Sequence, residues 1–578
     1  MSTMTTEWPS VTADVLVVGS GAAGMYAALE AQRAGADVVL LDKSLIGRGG
    51  ATIMAQMTVA AALGHAEPDS PEEHYADTLA SGRGTNDQRL VALLCEDGPR
   101  RILETRDMGV DWTMDGDRLA QVHAPGHSKR RCCYVDVLAT GPSVSRGLRL
   151  EVRKRGIRVL TNVLATDVVR AADGSVAGVA AQDVAEGRPV ALWAPQVVLA
   201  CGGLTEMFAR NSAPVNLTGD AYSLALDAGA DLLDIEMVQF FPIANLAPRT
   251  IGLDPIMWDP FRYKLGGRLL NGLREEFVHR YDDAGDGGRY RAVRDVVSYA
   301  ILKEVEEGRG SPHGGAYLDF TEIPFERIAA AFPGVVDKLL AQGIDLSRQP
   351  VEVAPMAHYT IGGVRVDDTM ASTVPGLWAA GEAVGGAHGA NRLSGNAITE
   401  AFVFGARAGT SAAHAARQRA ASDDPVAREA MREALLAVES RRGRTGSGDT
   451  TPRLRKRLQR IMWDHVGPFR TGDGLQCGRQ ALAELAAEHA EAPVGDAGPF
   501  NLELVEWVEL RHMLRVAEAM VHAAELRTES RGAHQRLDHP HTDPSLTANL
   551  VVRRRDGTLE HEWQPVVTLD RAVTGGSR

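Results

Sequence analysis

The sequence predicts an α/β protein that begins with a dinucleotide-binding βαβ unit. An apolar strand leads into the turn Gly19-x-Gly21-x-x-Gly24, a helix and a second strand follow, and Asp42 closes that strand 21 residues after Gly21. Glycines at these positions permit a tight turn and a close approach of the backbone to a pyrophosphate, and the helix start offers unpaired N–H groups. The acid lies where a ribose hydroxyl is expected.

A glycine-rich turn of this kind also occurs in ordinary βα connections. The strand before the turn, the helix after it and the spacing of the acid together favour the dinucleotide-binding interpretation. We therefore expect a redox enzyme.

The composition indicates a soluble, multidomain protein. A chain of 578 residues is too long to fold around one ordinary hydrophobic core. Its contents of 44% hydrophobic and 24% charged residues are typical of globular proteins. A net charge of −13 argues against a general nucleic-acid surface. The amino terminus lacks a basic region followed by an apolar run, and no stretch of about 18 uncharged apolar residues occurs. We expect a cytoplasmic protein without a membrane span.

The cysteines do not suggest a disulfide framework or a metal site. They are odd in number and show no CxxC spacing, so we expect reduced thiols and no bound metal. An iron–sulfur centre that serves this protein would have to lie on another chain. The five are Cys95, Cys132, Cys133, Cys201 and Cys477.

Further along, the pattern of strands and helices indicates domain boundaries. Residues 160–192 resemble a β-meander, 195–203 form a strand that ends in small residues, and 241–354 are rich in Pro, Gly and charge. Strand patterns return at 362–381, a helix is predicted at 396–407, and helical periodicity dominates 425–535. We predict a nucleotide-binding domain over 1–240 and 355–420, an inserted domain over 241–354, a helical domain over 421–545 and a C-terminal segment over 546–578.

Eight ordered segments together point to one family. They are GSGAAG (19–24), TGD (218–220), RDVV (294–297), HYTIGG (358–363), AAGE (379–382), GANRLSGN (389–396), FRTGDGLQ (469–476) and ESRGAH (529–534). They resemble the flavoprotein subunit of succinate dehydrogenase and fumarate reductase, a family that includes L-aspartate oxidase and the adenylylsulfate reductase large subunit. The resemblance implies a Rossmann-like FAD-binding domain, an α+β capping domain, a helical domain and a small C-terminal segment.

The resemblance also assigns the residues that contact FAD. It places Glu382 at the ribityl chain, Asn396 to Ile398 along the ring system and Asp220 near the adenosine half, although Asp220 is also explained as a turn and capping residue. The predicted cofactor-binding residues are Gly19, Gly21, Ala22, Ala23, Gly24, Asp42, Lys43, Gly50, Ala51, Thr52, Gln56, Ala200, Gly202, Asp220, Glu382, Asn396, Ala397 and Ile398.

Three basic residues match the family's substrate site. Alignment to the motifs implies that Arg392 and His358 hold a carboxylate, because a guanidinium pairs bidentately with that group. Arg294 would carry a proton to or from the substrate carbon. An arginine stays protonated through the working range and needs resupply, and the family's acid-x-x-Arg relay corresponds here to Asp259 and Arg262.

One departure from the family concerns attachment of the flavin. Members with a covalent flavin use a histidine in an S-H-T segment, whereas the matching residues here are Gly50, Ala51 and Thr52. Alanine cannot form that bond. We therefore expect non-covalent FAD, which in this family favours reductase or oxidase work over efficient succinate oxidation.

A second departure concerns the substrate. Members that act on dicarboxylates carry Q-x-H-P-T-G, whose His and Thr help to bind the second carboxylate, but residues 239–244 here are QFFPIA. With Trp258 adding bulk, an apolar far end would leave a second carboxylate unpaired at a large free-energy cost. We predict an acid less polar than succinate or fumarate. Alternatively the loop moves, and Arg249, Arg262 or Lys264 supplies the missing charge.

The leading prediction is an FAD-dependent oxidoreductase that acts on the C–C bond beside a carboxylate. An L-aspartate-oxidase-like enzyme is the second interpretation, and an adenylylsulfate-reductase-like subunit is less favoured. A non-catalytic electron-transfer subunit is a further alternative, which the joint presence of Arg294, His358 and Arg392 opposes. Only one GxGxxG is present, so a dedicated NAD(P)H domain is not supported. Family precedent implies an iron–sulfur partner subunit as the electron carrier, and a free-standing enzyme is the alternative.

Overall fold

A five-stranded parallel sheet is built around the strand that leads into the glycine-rich turn. The computed structural model describes residues 8–136, 139–253, 256, 258, 265–281, 294–331, 333–418, 424–446 and 448–569, apart from the side chains of Arg294 and Pro333. The strands up to residue 233 are β1 (Ser10–Thr12), β2 (Val15–Val18), β3 (Val38–Asp42), β4 (Thr58–Ala60), β5 (Met114–Asp115), β6 (Arg118–Leu119), β7 (Gln121–Val122), β8 (Cys132–Tyr134), β9 (Arg158–Thr161), β10 (Val163–Arg170), β11 (Val176–Asp183), β12 (Arg188–Trp193), β13 (Gln196–Leu199) and β14 (Leu232–Leu233). The helices of this part are α1 (Ala22–Arg33), α2 (Gly50–Met54), α3 (Pro71–Ser81), α4 (Gln88–Asp107), α5 (Thr140–Lys154) and α6 (Asp220–Asp227).

The middle of the chain adds a second sheet. Its elements are β15 (Val238–Ala247), β16 (Arg268–Leu270), α7 (Arg294–Glu306), β17 (Ala316–Asp319), α8 (Phe325–Ala331), α9 (Pro333–Leu340) and β18 (Val351–Thr360). These strands pair in the order β15-β18-β17-β16, antiparallel throughout. A separate apolar core, which includes Phe241, Trp258 and Phe320, lies against this sheet. The exact domain boundaries stay predictions.

The remaining elements complete the first sheet and add the helical region. They are β19 (Gly363–Val364), β20 (Leu377–Ala379), α10 (Asn396–Ala416), α11 (Pro425–Glu439), α12 (Thr451–Val466), α13 (Gly472–Ala490), α14 (Leu502–Leu526), β21 (Ala548–Arg555) and β22 (Thr558–Pro565). Among the helices of the described ranges, none combines the length and the low charge needed to cross a bilayer.

The central sheet has the order β20-β13-β2-β3-β9, and all of its neighbours are parallel. Strand β2 is fully buried, as a strand covered on both faces of a parallel sheet should be. Helix α1 packs against α10 at very short range, since a Cβ on Gly405 or Gly409 would lie 2.4 or 2.1 Å from a carbonyl oxygen of α1. These contacts bring the N-termini of both helices to one side of the sheet.

Two sequence predictions can be compared directly with these strands. The meander over 160–192 is present as antiparallel β10, β11 and β12, with Gly174 at φ +83° in the turn. The pair of strands predicted within 362–381 is also present, but they do not form one hairpin. Strand β19 pairs with β14, whereas β20 joins the parallel sheet beside β13.

Candidate active site

One long cavity runs from the glycine-rich turn to the second sheet. It encloses about 1620 Å³ of space not filled by protein, part of it open to solvent. Of the predicted cofactor-binding residues, those on its lining are Gly19, Gly21, Ala22, Ala23, Asp42, Lys43, Gly50, Ala51, Thr52, Gln56, Ala200, Gly202, Asp220, Glu382, Ala397 and Ile398. The predicted carboxylate-binding residues Arg392 and His358 line its other end. Their roles stay predictions, but the structure brings them to one space.

The glycine-rich turn is constrained by backbone contacts. Gly19 has φ +103°, and a Cβ there would lie 2.4 Å from the oxygen of Ala200. A Cβ on Gly24 would lie 1.8 Å from the oxygen of Gly19, which is closer than any real side chain approaches. Gly24 is therefore a packing residue behind the turn and does not line the cavity. Gly21 faces the cavity, as a close approach to a pyrophosphate requires.

The carboxylate of Asp42 faces the cavity but is already engaged by the protein. One oxygen accepts hydrogen bonds from the backbone N–H and the hydroxyl of Ser20, at 2.9 and 2.5 Å. The other accepts from the backbone N–H and the hydroxyl of Ser44, both at 2.7 Å. Asp42 thus connects the glycine turn to the end of β3. Its contact with a ribose hydroxyl stays a prediction.

Lys43 forms a buried ion-pair cluster beside Asp42. Its Nζ lies 2.8 Å from Asp220 and 2.7 Å from Glu509 on α14, and it donates to the hydroxyl of Thr218 at 2.7 Å. Burial alone would lower the pKa of Lys43, but the two carboxylates outweigh that effect and raise it. Likewise burial would raise the pKa of Asp220, and the ammonium lowers it. Asp220 therefore holds a charge in place at this end of the cavity.

Helix α2 lies over the glycine turn and carries the position of the missing histidine. Thr52 accepts a hydrogen bond through its hydroxyl from the N–H of Ala22 at 2.9 Å, and the side-chain oxygen of Asn216 accepts one from the N–H of Gly50 at 3.2 Å. Ala51 lines the cavity between these anchors. The methyl group offers no nucleophile toward a cofactor.

The side chain of Asn396 is bound to α3 and is not part of the cavity lining, and its predicted contact with the flavin ring system stays a prediction. Its oxygen lies 2.8 Å from Nε2 of His74, and its amide donates to the hydroxyl of Thr78 at 3.1 Å. Both partners are buried on α3. Asn396 therefore anchors the start of α10 from behind, and the next two residues, Ala397 and Ile398, supply the lining.

Glu382 faces the cavity between its two ends. Burial raises the pKa of this carboxyl from 4.5 to about 7, although the N–H of Thr360, 2.9 Å from Oε1, stabilises the charged form. The carboxyl lies so close to the backbone that a Cβ on Gly203 would be 2.1 Å from Oε1. The group can thus gain or lose a proton near neutral pH.

Arg392 and His358 are held by different partners at the far end. The guanidinium carbon of Arg392, which is buried, lies 4.3 Å from the centre of the Tyr359 ring. The Tyr359 hydroxyl donates to Glu400, and burial raises its pKa well above the usual value. Nδ1 of His358 lies 2.9 Å from the hydroxyl of Ser212. A fixed guanidinium with a histidine nearby is suited to binding one carboxylate.

Apolar side chains also contribute to this part of the lining. Phe241 and Ile256 line the cavity, and the rings of Phe241 and His358 are centred 5.5 Å apart. Ile243 is fully buried in the core of the second sheet. Trp258 is buried in that core too, where Nε1 donates to Asn245 at 3.2 Å, so it does not add bulk to the cavity lining as predicted.

The proton-transfer residues are only partly described. Helix α7 begins at Arg294, whose side chain is outside the described part of the chain. The relay residues Asp259 and Arg262, and the alternative cation Lys264, also lie outside the described residues. Arg249, another alternative cation, is exposed to solvent.

Several lining residues were missed by the sequence predictions. Ser20, Ser212, Asn216 and Tyr359 all line the cavity, as do residues 163–165. Ser20 and Tyr359 lie within motifs that match the family, so the sequence could have indicated them. The bonds from Ser44 to Asp42 were also predictable, because a two-residue spacing is that of an Asx turn. Ser212 and Asn216 lie on an irregular segment and carried none.

Comparison with known proteins gives consistent matches. A family model described as FAD binding domain matches residues 14–398, and one described as fumarate reductase flavoprotein C-term matches residues 455–573. A fumarate reductase (CoM/CoB) subunit of Methanothermobacter marburgensis is 35% identical over 94% of this chain and 97% of that protein. L-aspartate oxidase of Streptomyces coelicolor is 37% identical over 94% and 92%. A mutant FrdA of E. coli quinol fumarate reductase superposes with a TM-score of 0.90, at 29% identity, over 97% and 98% of the two chains.

Proposed function

The chain belongs to the flavoprotein family of succinate dehydrogenase and fumarate reductase, and we propose that it reduces or oxidises the C–C bond of an acid with one carboxylate and an apolar far end. The predicted α/β fold and the predicted FAD-dependent oxidoreductase acting on CH–CH groups are confirmed by the matches above. The identity of the substrate is the part that we propose.

The cavity fits FAD. The tight turn at Gly19 and Gly21 leaves backbone room for a pyrophosphate, and the start of α1 directs N–H groups toward it. Asp42 and the Lys43 cluster would hold the adenosine half, and Glu382 with the start of α10 would hold the flavin half. When bound, FAD exchanges a hydride with one carbon of the C–C bond.

The protein's own residues would orient the acid and move the proton. Arg392 and His358 would grip the carboxylate, and the packing of Arg392 on Tyr359 fixes the direction of the guanidinium fork. Arg294 would exchange a proton with the neighbouring carbon, resupplied through Asp259 and Arg262. The cavity walls would exclude water from the reacting bond.

The observation that carries the substrate proposal is the pair Phe241 and Ile256 on the lining. Among the described lining residues, Arg392 and His358 would hold the first carboxylate, and Lys43 is paired with two acids. A second carboxylate beside Phe241 and Ile256 would therefore lose its hydration without a cation of its own, at a free-energy cost of several kcal/mol. An alkyl or aryl group there would instead gain contact with two apolar side chains. The site therefore favours substituted acrylates over fumarate.

Kinetics with three acids would test this proposal. With reduced methyl viologen as electron donor, we expect kcat/KM for crotonate or cinnamate to exceed that for fumarate. Fast turnover of fumarate with slow turnover of both others would contradict the apolar end. It would support the alternative in which a cation outside the described residues compensates.

We also propose that FAD is bound without a covalent link, because Ala51 occupies the position of the family's attaching histidine. Precipitation with acid should release the yellow colour into the supernatant. Colour that remains with the protein pellet would contradict this.

L-aspartate oxidase activity is the second candidate, favoured by the 37% identity to the Streptomyces coelicolor enzyme. Phe241 and Ile256 count against it, because aspartate has a second carboxylate. Release of hydrogen peroxide and ammonia from L-aspartate would establish it.

We propose an iron–sulfur protein as electron-transfer partner. Family precedent supports this, and exposed apolar side chains occur on segments that border the cavity: Leu45, Met54 and Val215 are 55%, 38% and 74% exposed. A brown protein that co-purifies with the chain, and is lost on Val215→Glu, would support this partner. Full activity of the isolated chain with a soluble donor from the cell would oppose it.

A further inference from the structure

We propose that Arg83 is a positioning residue: its ion pair with Asp295 holds the first turn of α7, and with it Arg294, at a fixed place relative to Arg392. The inference rests on the proposed function, since it takes Arg294 to be the proton carrier and Arg392 to be the carboxylate ligand. Its basis is the connection between α3 and α4, residues 82–87, which contacts both arginine-bearing segments.

The first contact joins this connection to the segment before Arg392. The carbonyl oxygen of Gly82 accepts a hydrogen bond from the N–H of Ala390 at 2.9 Å. The hydroxyl of Ser81, at the end of α3, donates to the oxygen of Asn391 at 3.1 Å. The approach is close, since a Cβ on Gly389 would lie 2.4 Å from the oxygen of Gly82. The backbone leading to Arg392 is thus fixed to this connection.

The second contact joins the connection to α7. Nη2 of Arg83 donates to Oδ2 of Asp295 at 2.9 Å, and the side chains are 41% and 9% exposed. Asp295 lies in the first turn of α7, one residue after Arg294. An ion pair with one nearly buried carboxylate is more rigid than a pair between two solvated side chains.

Arg83 itself has a well-anchored backbone. It adopts φ 56°, in the left-handed region, and its carbonyl oxygen accepts from Nη1 of Arg531 at 2.8 Å. Arg531 is buried and pairs through two nitrogens with Glu529, at 2.8 and 2.9 Å. The guanidinium of Arg83 therefore extends from a fixed point of the main body to the start of α7.

The two arginines of the reaction come from separate segments, and their relative position determines whether proton transfer and carboxylate binding occur on one bound acid. A displacement of about 1 Å at a reacting group can lower a rate by about a hundredfold. Loss of the Arg83 ion pair should thus slow the chemical step and leave substrate affinity almost unchanged, because Arg392 keeps its own anchors.

Arg83→Ala tests this, with Glu306→Gln as the matched control. Glu306 is 45% exposed and pairs with Lys303 at 2.6 Å within the same helix, so this change breaks an ion pair of α7 and keeps the contacts of Lys303 with Tyr299 and Phe469. For the flavin-loaded protein we expect Arg83→Ala to lower kcat about tenfold with the faster of crotonate and cinnamate, and to change KM less than twofold. Hydrogen exchange at residues 296–299 should become faster in Arg83→Ala and stay unchanged in Glu306→Gln.

A double-mutant cycle separates the ion pair from a general loss of stability. If Arg83 acts through Asp295, the double variant Arg83→Ala with Asp295→Asn should be no slower than Arg83→Ala alone. Additive losses of kcat, or unchanged hydrogen exchange at 296–299, would overturn the inference whatever the substrate is.

Arg294→Ala tests the premise: if it retains turnover, the proposed function fails. If it abolishes turnover while Arg83→Ala is as fast as wild type, only the positioning role fails.

Discussion

The two ends of the cavity are constrained in different ways. At the cofactor end, backbone atoms lie so close together that Gly19 and Gly24 have no room for a side chain, and a buried ion-pair cluster surrounds Lys43. At the substrate end, Arg392 packs on Tyr359, and the neighbouring lining is formed by side chains such as Phe241 and not by closely packed backbone atoms. The fold therefore dictates the cofactor, while a few substitutions can change the substrate.

The largest effect is expected from Gly24→Ala, which attacks the cofactor end. The new Cβ would lie 1.8 Å from the oxygen of Gly19, so α1 cannot keep its place against the turn. We expect loss of bound flavin, measured by absorbance at about 450 nm, and a large fall in thermal stability. Gly334→Ala is the control, because it lies in helix α9 with nothing within 4 Å of the added Cβ. Equal flavin content in both variants would contradict the constraint.

Arg392→Ala should have the next largest effect, at the substrate end alone. We expect kcat/KM to fall about a thousandfold, because the carboxylate loses its charged, bidentate partner. Flavin content should stay that of wild type. Arg392→Lys keeps the charge but cannot form two parallel hydrogen bonds to the carboxylate, so its kcat/KM should lie between those of wild type and Arg392→Ala. Loss of flavin in Arg392→Ala would mean that the two ends are not independent.

Glu382, which lines the same cavity, gives a prediction about how stability depends on pH. The pKa of Glu382 is about 7 in the folded protein, against 4.5 in the unfolded chain. Protonation of this carboxyl therefore stabilises the folded state fully below about pH 4.5, and this stabilisation is lost as the pH rises to about 7. The shift corresponds to about 3 kcal/mol of unfolding free energy. Relative to Glu382→Gln, wild type should become progressively less stable between pH 5 and pH 7.5, as measured by urea unfolding. A difference that is constant with pH would contradict the raised pKa.

The smallest effect is expected from restoring a polar residue at the substrate end. Phe241→His should raise kcat/KM for fumarate relative to crotonate about tenfold, because the second carboxylate gains a hydrogen-bond partner on the cavity lining. Phe241→Leu, which stays apolar, should leave the preference unchanged. A preference for fumarate already present in wild type would remove the basis of the comparison.

How far the sequence predicts this molecule depends on the range of the interactions. The unit around β2, α1 and β3 was predictable because strand pattern, glycine spacing and the closing acid all lie within residues 14–42. The orientation of Asn396 was not, since it depends on His74, which is 322 residues away. Trp258 was misplaced for the same reason: its buried position follows from packing on Phe320 and from its bond to Asn245, neither of which leaves a local pattern.

The sheet with the order β19-β14-β21-β22 has a consequence for biosynthesis. It joins residues 232–233 and 363–364 to the hairpin formed by β21 and β22, near the end of the chain. Synthesis must therefore proceed past residue 565 before this sheet can form, although its two short strands β14 and β19 are made much earlier. A nonsense mutation before β21 should leave β14 without one of its two paired strands, and chaperones should retain such a chain.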